Sequence, residues 1–314
     1  MAKKSIRQVL EEANACVVAP CVYDCASMRA VEMVGFPAAM LSGGEVSIAM
    51  NGVIDYGFSN LTDIEWICSR ITQTNGIPLA ADIEDGFGGP LAVYRSTKRM
   101  IAAGATALQL EDSGDMEAST TLLPREKYYE KVRAALAAME GSDCILIART
   151  NADPDTEMDE GCERMRASVE MGARMSTVVR ISTLDHAKYV ADKVPGWKMF
   201  PDVRDVDGKP GVTVDDIYPL GFNFLTMHYT LKAAMDGMLE HGLKNFAQQG
   251  CHYTCQKQDA TGIMGMSATP LFDPHSYMEL ESRFGGERKD FTIVGNAVED
   301  FPQGFVRTSI DDRL

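Results

Sequence analysis

Long apolar runs and excess positive charge are both missing from this sequence. No stretch of about 18 consecutive apolar residues occurs, so we expect no segment to span a bilayer. Lys and Arg number 30 against 45 Asp and Glu, which gives a formal net charge of −15. A surface with this charge repels nucleic-acid phosphates and acidic lipid headgroups. We therefore expect neither nucleic acid nor a membrane as a partner.

Zinc-site spacing and a secretion signal are missing as well. The first residues, MAKKSIRQVLEEANA, lack the apolar centre of a signal peptide. The eight cysteines include one close pair, Cys251 and Cys255 in CHYTC, but no second Cys or His pair follows at zinc-site spacing. Free thiols in a reducing compartment are the expectation for such a chain. We therefore predict a cytoplasmic protein.

The sequence does contain a regular alternation of apolar runs and helical segments. Eight apolar runs have the length of buried strands: CVVAPCV, AAMLSGG, PLAADIE, ALQLED, CILIART, MSTVVRI, WKMF and FNFLTM. Segments with the spacing of amphipathic helices lie between them, for example residues 125–139 and 184–193. Glycine stands at nearly every helix-to-strand junction, where it suits a left-handed helix end. Successive β-then-α units predict a (β/α)8 TIM barrel, with a doubly wound open sheet as the alternative.

The composition changes near residue 246. We assign residues 1–246 to the barrel, as the catalytic domain. Residues 247–314 are richer in Gly, Pro and Asp and contain one segment with helical spacing, SYMELESRF. We interpret them as a C-terminal helical extension that cannot bury its own apolar side and therefore docks on a neighbouring subunit of a homo-oligomer.

Polar side chains end four consecutive predicted strands. Strand 2 ends in LSGG, strand 3 in DIEDGFGG, strand 4 in LEDSGD and strand 5 in ARTNAD. In a TIM barrel these ends lie on one face, which carries the chemistry. The residues that they bring to that face are Ser42, Asp82, Glu84, Asp85, Glu111, Asp112 and Arg149.

So many carboxylates on one rim repel one another unless a cation lies among them. Oxygen ligands without His or Cys favour Mg²⁺, with Mn²⁺ as the other candidate, over zinc. A strand period of two predicts that Asp82 and Glu84 point to the same side. Asp85 then faces the other way or starts the turn, and we do not expect it to ligate the metal.

The remaining polar groups suit an anionic substrate. Ser42 supplies a hydroxyl, and Gly43 and Gly44 supply backbone N–H groups for a carboxylate or a developing oxyanion. Arg149 has the geometry for a bidentate clamp on a carboxylate. The structural alternatives are a simple turn at GFGG, a helix cap at Asp112 and a salt bridge at Arg149.

Taken together, the motifs LSGG, GVIDYGF, DIEDGFGG, LQLED and IARTNA resemble those of the isocitrate lyase / phosphoenolpyruvate mutase superfamily, in the same order and with similar spacing over about residues 5–240. The resemblance implies a TIM barrel that acts on small 2-oxo or 2-hydroxy acids through an enolate held on Mg²⁺. It also implies a homotetramer in which a C-terminal helix is exchanged between subunits.

The resemblance also implies roles for individual residues. Asp82 would ligate Mg²⁺ directly, while Glu84 and Glu111 would hold metal-bound waters. Its candidate catalytic residues are Ser42, Asp55 and Arg149. Ser42, Gly43, Gly44, Asp82 and Arg149 would bind the substrate, a small carboxylate.

Departures from the family pattern affect the expected reaction. Carbon–carbon lyases of the group carry a cysteine acid/base in the loop after strand 4, whereas SGDMEASTTLLP has no Cys, Lys or His. Strand 6 ends near Arg180, which either binds a second acidic group of the substrate or pairs with Asp202. His228, just after strand 8, is the one histidine expected near the pocket, in a structural role.

Three functions remain open from the sequence. The first is an Mg²⁺-dependent lyase, of the decarboxylase type, for a small 2-oxo or 2-hydroxy dicarboxylic acid, because decarboxylation needs an electron sink but no lid cysteine. The second is P–C bond chemistry, as in a phosphonopyruvate hydrolase or phosphoenolpyruvate mutase, with Ser119, Thr120 or Thr121 as nucleophile. The third is a non-catalytic metal-binding barrel.

Overall fold

Eight parallel strands close into a barrel in the computed structural model of the chain, which describes residues 3–114, 121–203, 205–206, 209–247, 274–285 and 304–313. The barrel strands are β1 (Val17–Val22), β2 (Ala39–Leu41), β3 (Leu79–Asp82), β4 (Ala107–Glu111), β5 (Ile145–Thr150), β6 (Met175–Val178), β7 (Trp197–Phe200) and β10 (Phe222–Met227). A small hairpin of β8 (Asp205–Val206) and β9 (Lys209–Pro210) lies between the last two. Pairing of β10 with β1, Val17 opposite Phe224, closes the sheet. The predicted TIM barrel is confirmed, and the open-sheet alternative is wrong.

Helices connect these strands and surround the barrel. They are α1 (Ile6–Glu12), α2 (Cys25–Val34), α3 (Gly43–Val46), α4 (Leu61–Thr72), α5 (Pro90–Ala102), α6 (Arg125–Met139), α7 (Met158–Met171), α8 (Leu184–Lys193), α9 (Val214–Ile217), α10 (Thr230–Ala247), α11 (Pro274–Arg283) and α12 (Ile310–Arg313). Their ends follow local chemistry: Asp24 caps α2 by accepting a hydrogen bond from the Ser27 N–H, at 2.7 Å. Gly35 then ends the helix in the left-handed region, with φ of 96°. No described helix has the length and apolar character that crossing a bilayer requires.

Side chains inside the barrel form an apolar layer that gives way to a polar layer. The apolar layer includes Met40, Ala80, Ala107, Ile147, Met199 and Phe224. Alternate residues of a strand share a face, so the residue two positions further along each strand lies on the same inner side. Those positions hold Ser42, Asp82, Gln109, Arg149, Pro201 and Thr226. The strand period therefore places a mainly polar layer at the C-terminal end of the barrel.

The described part of the tail contacts its own barrel. The Val306 N–H donates to the Met33 carbonyl at 2.7 Å, and Ile310 is buried. The segment SYMELESRF forms most of α11, as predicted. The CHYTC motif lies outside the described residues, and docking of the tail on another subunit stays a prediction.

Candidate active site

The polar layer opens into a cavity of about 170 Å³. Small-molecule pockets for drug-sized ligands hold roughly 300–1,000 Å³, so this one suits a small acid better than a nucleotide. Its lining combines carboxylate, guanidinium and hydroxyl groups with an apolar wall. The lining residues are Cys21, Met40, Ser42, Asp82, Gln109, Arg149, Val179, Ile181, Met199, Pro201, Asp202, Thr226 and His228.

Asp82 is the buried carboxylate that ends β3, opposite Gln109 of β4 in the strand register. Its Oδ2 accepts hydrogen bonds from Gln109 Nε2 at 3.2 Å and Arg149 Nη1 at 3.1 Å. Burial raises the pKa of Asp82 to about 6, because the Arg149 charge only partly offsets the loss of water, and Glu111 adds repulsion. The guanidinium alone therefore does not fully compensate the charge of Asp82, and a metal cation would add to that compensation.

Glu84 reaches the site by a different route from the predicted one. The strand ends at Asp82, and Glu84 has left-handed backbone with φ of 50°, so the period-two argument for its direction is wrong. Its N–H donates to Asp82 Oδ1, and its carbonyl accepts from the Glu111 N–H, both at 2.9 Å. Burial, then repulsion from Asp82 and Glu111, raises the pKa of the Glu84 side chain far above its usual value. The turn therefore brings the carboxylate to the cluster.

Arg149 lies among these carboxylates. Its Nη2 is 2.9 Å from Glu111 Oε2, and the same guanidinium donates to Asn151 Oδ1 at 3.1 and 3.2 Å. Burial is the largest single influence and favours protonation of Glu111, but the Arg149 charge and the hydrogen bonds of Ser113 and Asn151 together outweigh it, so the pKa of Glu111 is lowered. The structure thus contains the salt bridge that was the structural alternative for Arg149, and its contact with substrate stays a prediction.

Two glycines allow the neighbouring loop to approach the carboxylates. Ser42 caps α3, accepting from the Glu45 N–H at 3.3 Å, so Gly43 and Gly44 lie in a first turn whose N–H groups have no intrahelical partner. A Cβ on Gly43 would overlap Glu84 Oε1, and one on Gly44 would come to 2.8 Å from Asp55 Oδ2. Asp55 therefore lies beside the predicted substrate-binding loop.

The donor set fits a divalent cation. Asp82, Glu84 and Glu111 are buried together against one guanidinium, so a further positive charge is needed for all three to be ionised. Within the described residues, the buried Gln109 Oε1 has no hydrogen-bond partner. No three His, Cys, Asp or Glu side chains in this part of the chain are placed to coordinate one ion jointly. This arrangement suits Mg²⁺ held by few direct ligands and several waters.

Other acidic residues predicted near the rim have structural partners. Asp85 pairs with Lys131 at 2.9 Å, and its exclusion from the metal site stays a prediction. Asp112 accepts hydrogen bonds from Thr150 Oγ1 and Arg164 Nη1, at 2.7 and 3.2 Å, and so joins β4 to β5 and α7 rather than capping a helix.

Sequence reasoning missed Gln109 and gave His228 a structural role. A polar residue two positions before Glu111, in an apolar strand, was the available signal for Gln109. His228 lines the cavity and pairs with Asp202. Val179 and Ile181 line the cavity, whereas Arg180 between them is not among the lining residues. Contact of Arg180 with a substrate therefore stays a prediction. The six described cysteines are free.

Comparisons with known proteins identify the family of the chain. The phosphoenolpyruvate phosphomutase family profile matches residues 6–245. The petal death protein of Dianthus caryophyllus is 31% identical over 298 residues, covering 92% of this chain and 90% of the relative. An oxaloacetate decarboxylase of Rhodopseudomonas palustris is 34% identical over 158 residues, 49% of this chain and 55% of the relative. The structure of an oxaloacetate acetylhydrolase with oxalate superposes with a TM-score of 0.79 at 25% identity, covering 90% of this chain and 97% of the other. The chain therefore belongs to the phosphoenolpyruvate phosphomutase family, within the phosphoenolpyruvate mutase/isocitrate lyase superfamily that its motifs predicted.

Proposed function

We propose that the chain is an Mg²⁺-dependent carbon–carbon lyase, of the decarboxylase type, for a small 2-oxo or 2-hydroxy dicarboxylic acid. The observation that carries this proposal is the buried group of Asp82, Glu84 and Glu111, with one guanidinium among them, beside a cavity of about 170 Å³. The similarity to an oxaloacetate decarboxylase and an oxaloacetate acetylhydrolase supports a four-carbon 2-oxo acid as the first substrate to test.

The residues divide into two tasks. Asp82 would hold Mg²⁺ directly, and Glu84, Glu111 and Gln109 Oε1 would accept hydrogen bonds from its waters. When bound, Mg²⁺ supplies a Lewis acid that stabilises the negative oxygen of an enolate.

The substrate is oriented by groups around this centre. The Ser42 hydroxyl and the N–H groups of Gly43 and Gly44 would donate to the carboxylate and the oxo oxygen. Arg149, which contacts Asp82 and Glu111, would also donate to a carboxylate of the substrate. The apolar wall of Val179, Ile181 and Met199 would exclude water from the breaking bond.

The test is Mg²⁺-dependent conversion of oxaloacetate to pyruvate. We expect turnover that stops on addition of EDTA and in Asp82→Ala. Asp85→Asn is the matched control, since this carboxylate lies three positions along the chain but pairs with Lys131, and it should keep the activity. Phosphate release from phosphonopyruvate instead would favour P–C bond chemistry. Mg²⁺ binding without turnover of either compound would favour a non-catalytic barrel.

We also propose that the protein is a cytoplasmic homotetramer. One face of α10 exposes Met238, Leu239, Leu243 and Phe246, with 83% of Phe246 accessible, and another subunit would cover them. The free thiols support a reducing compartment. Sedimentation analysis of the purified chain tests the assembly, and a monomer would contradict it.

A further inference from the structure

Two buried polar side chains, Ser113 and Asn151, lie just beyond the ends of β4 and β5. Glu111 of β4 stands opposite Arg149 of β5 in the strand register. Ser113 and Asn151 each follow two positions later, and Asn151 Nδ2 donates to Ser113 Oγ at 2.6 Å. Neither of the two is among the described residues that line the cavity. Any part that they play in the site therefore acts through Glu111 and Arg149.

These four side chains form a closed hydrogen-bonded ring. Asn151 Oδ1 accepts from Arg149 Nε and Nη2, at 3.2 and 3.1 Å. The Glu111 carboxylate accepts hydrogen bonds from the side chains of Ser113 and Asn151. Arg149 Nη2 closes the ring, at 2.9 Å from Glu111 Oε2. Each member of the buried ion pair is thus held by the other and by an uncharged partner.

The chemistry of the donors allows one arrangement of protons in this ring. A guanidinium can only donate hydrogen bonds, and an ionised carboxylate can only accept them. Arg149 therefore requires the oxygen of the Asn151 amide, which turns the amide nitrogen toward Ser113 and Glu111. The Ser113 oxygen accepts from that nitrogen, so its own proton is left for Glu111. Ser113 and Asn151 are complementary to the ion pair in donors and acceptors.

The backbones of both residues are fixed independently of the ring. The Asn151 N–H donates to Asp112 Oδ1 at 2.9 Å. Ser113 forms an antiparallel bridge with Leu122, and the Leu123 N–H donates to the Asp112 carbonyl at 2.8 Å. The two side chains therefore start from a rigid frame, which is the condition for orienting other groups.

We propose that Ser113 and Asn151 are positioning residues that hold Glu111 and Arg149 in the orientation that Mg²⁺ binding requires. The inference rests on the proposed function, in which Glu111 accepts hydrogen bonds from the waters of Mg²⁺ and Arg149 donates to the substrate. Neither Ser113 nor Asn151 touches the metal or the substrate. They act by preventing the carboxylate and the guanidinium from turning away from the cavity.

The test titrates the full chain with Mg²⁺ by calorimetry. In Ser113→Ala we expect Mg²⁺ to bind about 10–100-fold more weakly, with a similar fall in kcat/KM for oxaloacetate. Asn151→Leu, a side chain of similar shape, tests the ring from its other end. Ser168→Ala is the matched control, because it also removes a buried hydroxyl, which donates to the Arg164 carbonyl within α7 at 2.8 Å. The control should keep the wild-type Mg²⁺ affinity, and urea denaturation without metal shows that each variant is folded.

A double-mutant cycle separates joint positioning from two independent structural losses. Once Asn151→Leu has broken the ring, adding Ser113→Ala should weaken Mg²⁺ binding by no more than about twofold further. Losses that multiply, or a folded Ser113→Ala with wild-type Mg²⁺ affinity, would overturn this proposal and leave the proposed function standing. Weaker Mg²⁺ binding in both single variants, beside a wild type that does not turn over oxaloacetate, would support the positioning role and count against the proposed lyase. A wild type that binds no Mg²⁺ would overturn both.

Discussion

Gly43→Ala is the substitution that tests the geometry of the site most directly. The added methyl group would overlap Glu84 Oε1 and lie 2.9 Å from Glu84 Cδ. The Glu84 backbone is held on both sides, by its N–H to Asp82 and its carbonyl to Glu111. Only 5% of Glu84 is exposed, so its side chain has little room to move away. The carboxylate must therefore shift within the cluster.

The size of the effect follows from that shift. A displacement of about 1 Å in a positioned group costs roughly 10²-fold in rate, and relief of the overlap needs at least this much movement. We expect kcat/KM for oxaloacetate to fall about 10²-fold, which equals about 2.7 kcal/mol of transition-state stabilisation. Overpacking should also lower the free energy of unfolding by about 1–3 kcal/mol.

The assay measures Mg²⁺ affinity by calorimetry and kcat/KM by pyruvate formation. Gly237→Ala is the matched control: the same methyl group on α10 meets nothing within 4 Å. That variant should keep full activity and gain stability, because alanine favours a helix over glycine. If Gly43→Ala has unchanged Mg²⁺ affinity and unchanged kcat/KM, then the placement of the Glu84 carboxylate matters neither for metal binding nor for turnover, and this reasoning is refuted.

Three other predictions concern stability and metal binding. Asp112→Ala should lower the free energy of unfolding by about 3–5 kcal/mol, because it removes a buried partner of Arg164; a urea denaturation midpoint equal to the wild type would contradict this. The hydrogen bond from Arg125 lowers the pKa of Glu160 to about 2, from an ordinary value of 4.5. The ionised Glu160 side chain therefore stabilises the fold above pH 4.5, and this stabilisation is lost as the pH falls from 4.5 toward 2. Glu160→Gln should therefore be less stable at pH 7, and denaturation at stepped pH should show the difference closing below 4.5 rather than staying constant. Gln109→Leu removes a buried oxygen that has no partner among the described residues, and also the Nε2–H that donates to Asp82 at 3.2 Å. Loss of that one hydrogen bond should lower the free energy of unfolding without metal by about 1 kcal/mol. Mg²⁺ should bind about 10–100-fold more weakly in calorimetry, and equal affinity would exclude Gln109 from the metal site.

The fold could be predicted because its signals are local. Each strand and helix is encoded by a short apolar pattern, and eight repeats of one unit have few ways to pack. The same patterns located Asp82, Glu111 and Arg149, since each lies at the carboxyl end of a predicted strand, and these ends share one face of a TIM barrel. Successive side chains of a strand point to opposite faces of the sheet, so the face of a strand residue follows from its position in the strand.

Contacts between strands could not be derived in this way. Glu84 joins the cluster through a left-handed turn, and Arg149 lies between Asp82 and Glu111 because β3, β4 and β5 meet in one register. His228 meets Asp202 because β7 and β10 are neighbours in the closed barrel. Local patterns therefore determined which residues reach the carboxyl end of the barrel. Barrel closure and side-chain packing decided which of them touch, because those contacts join residues that are far apart along the chain.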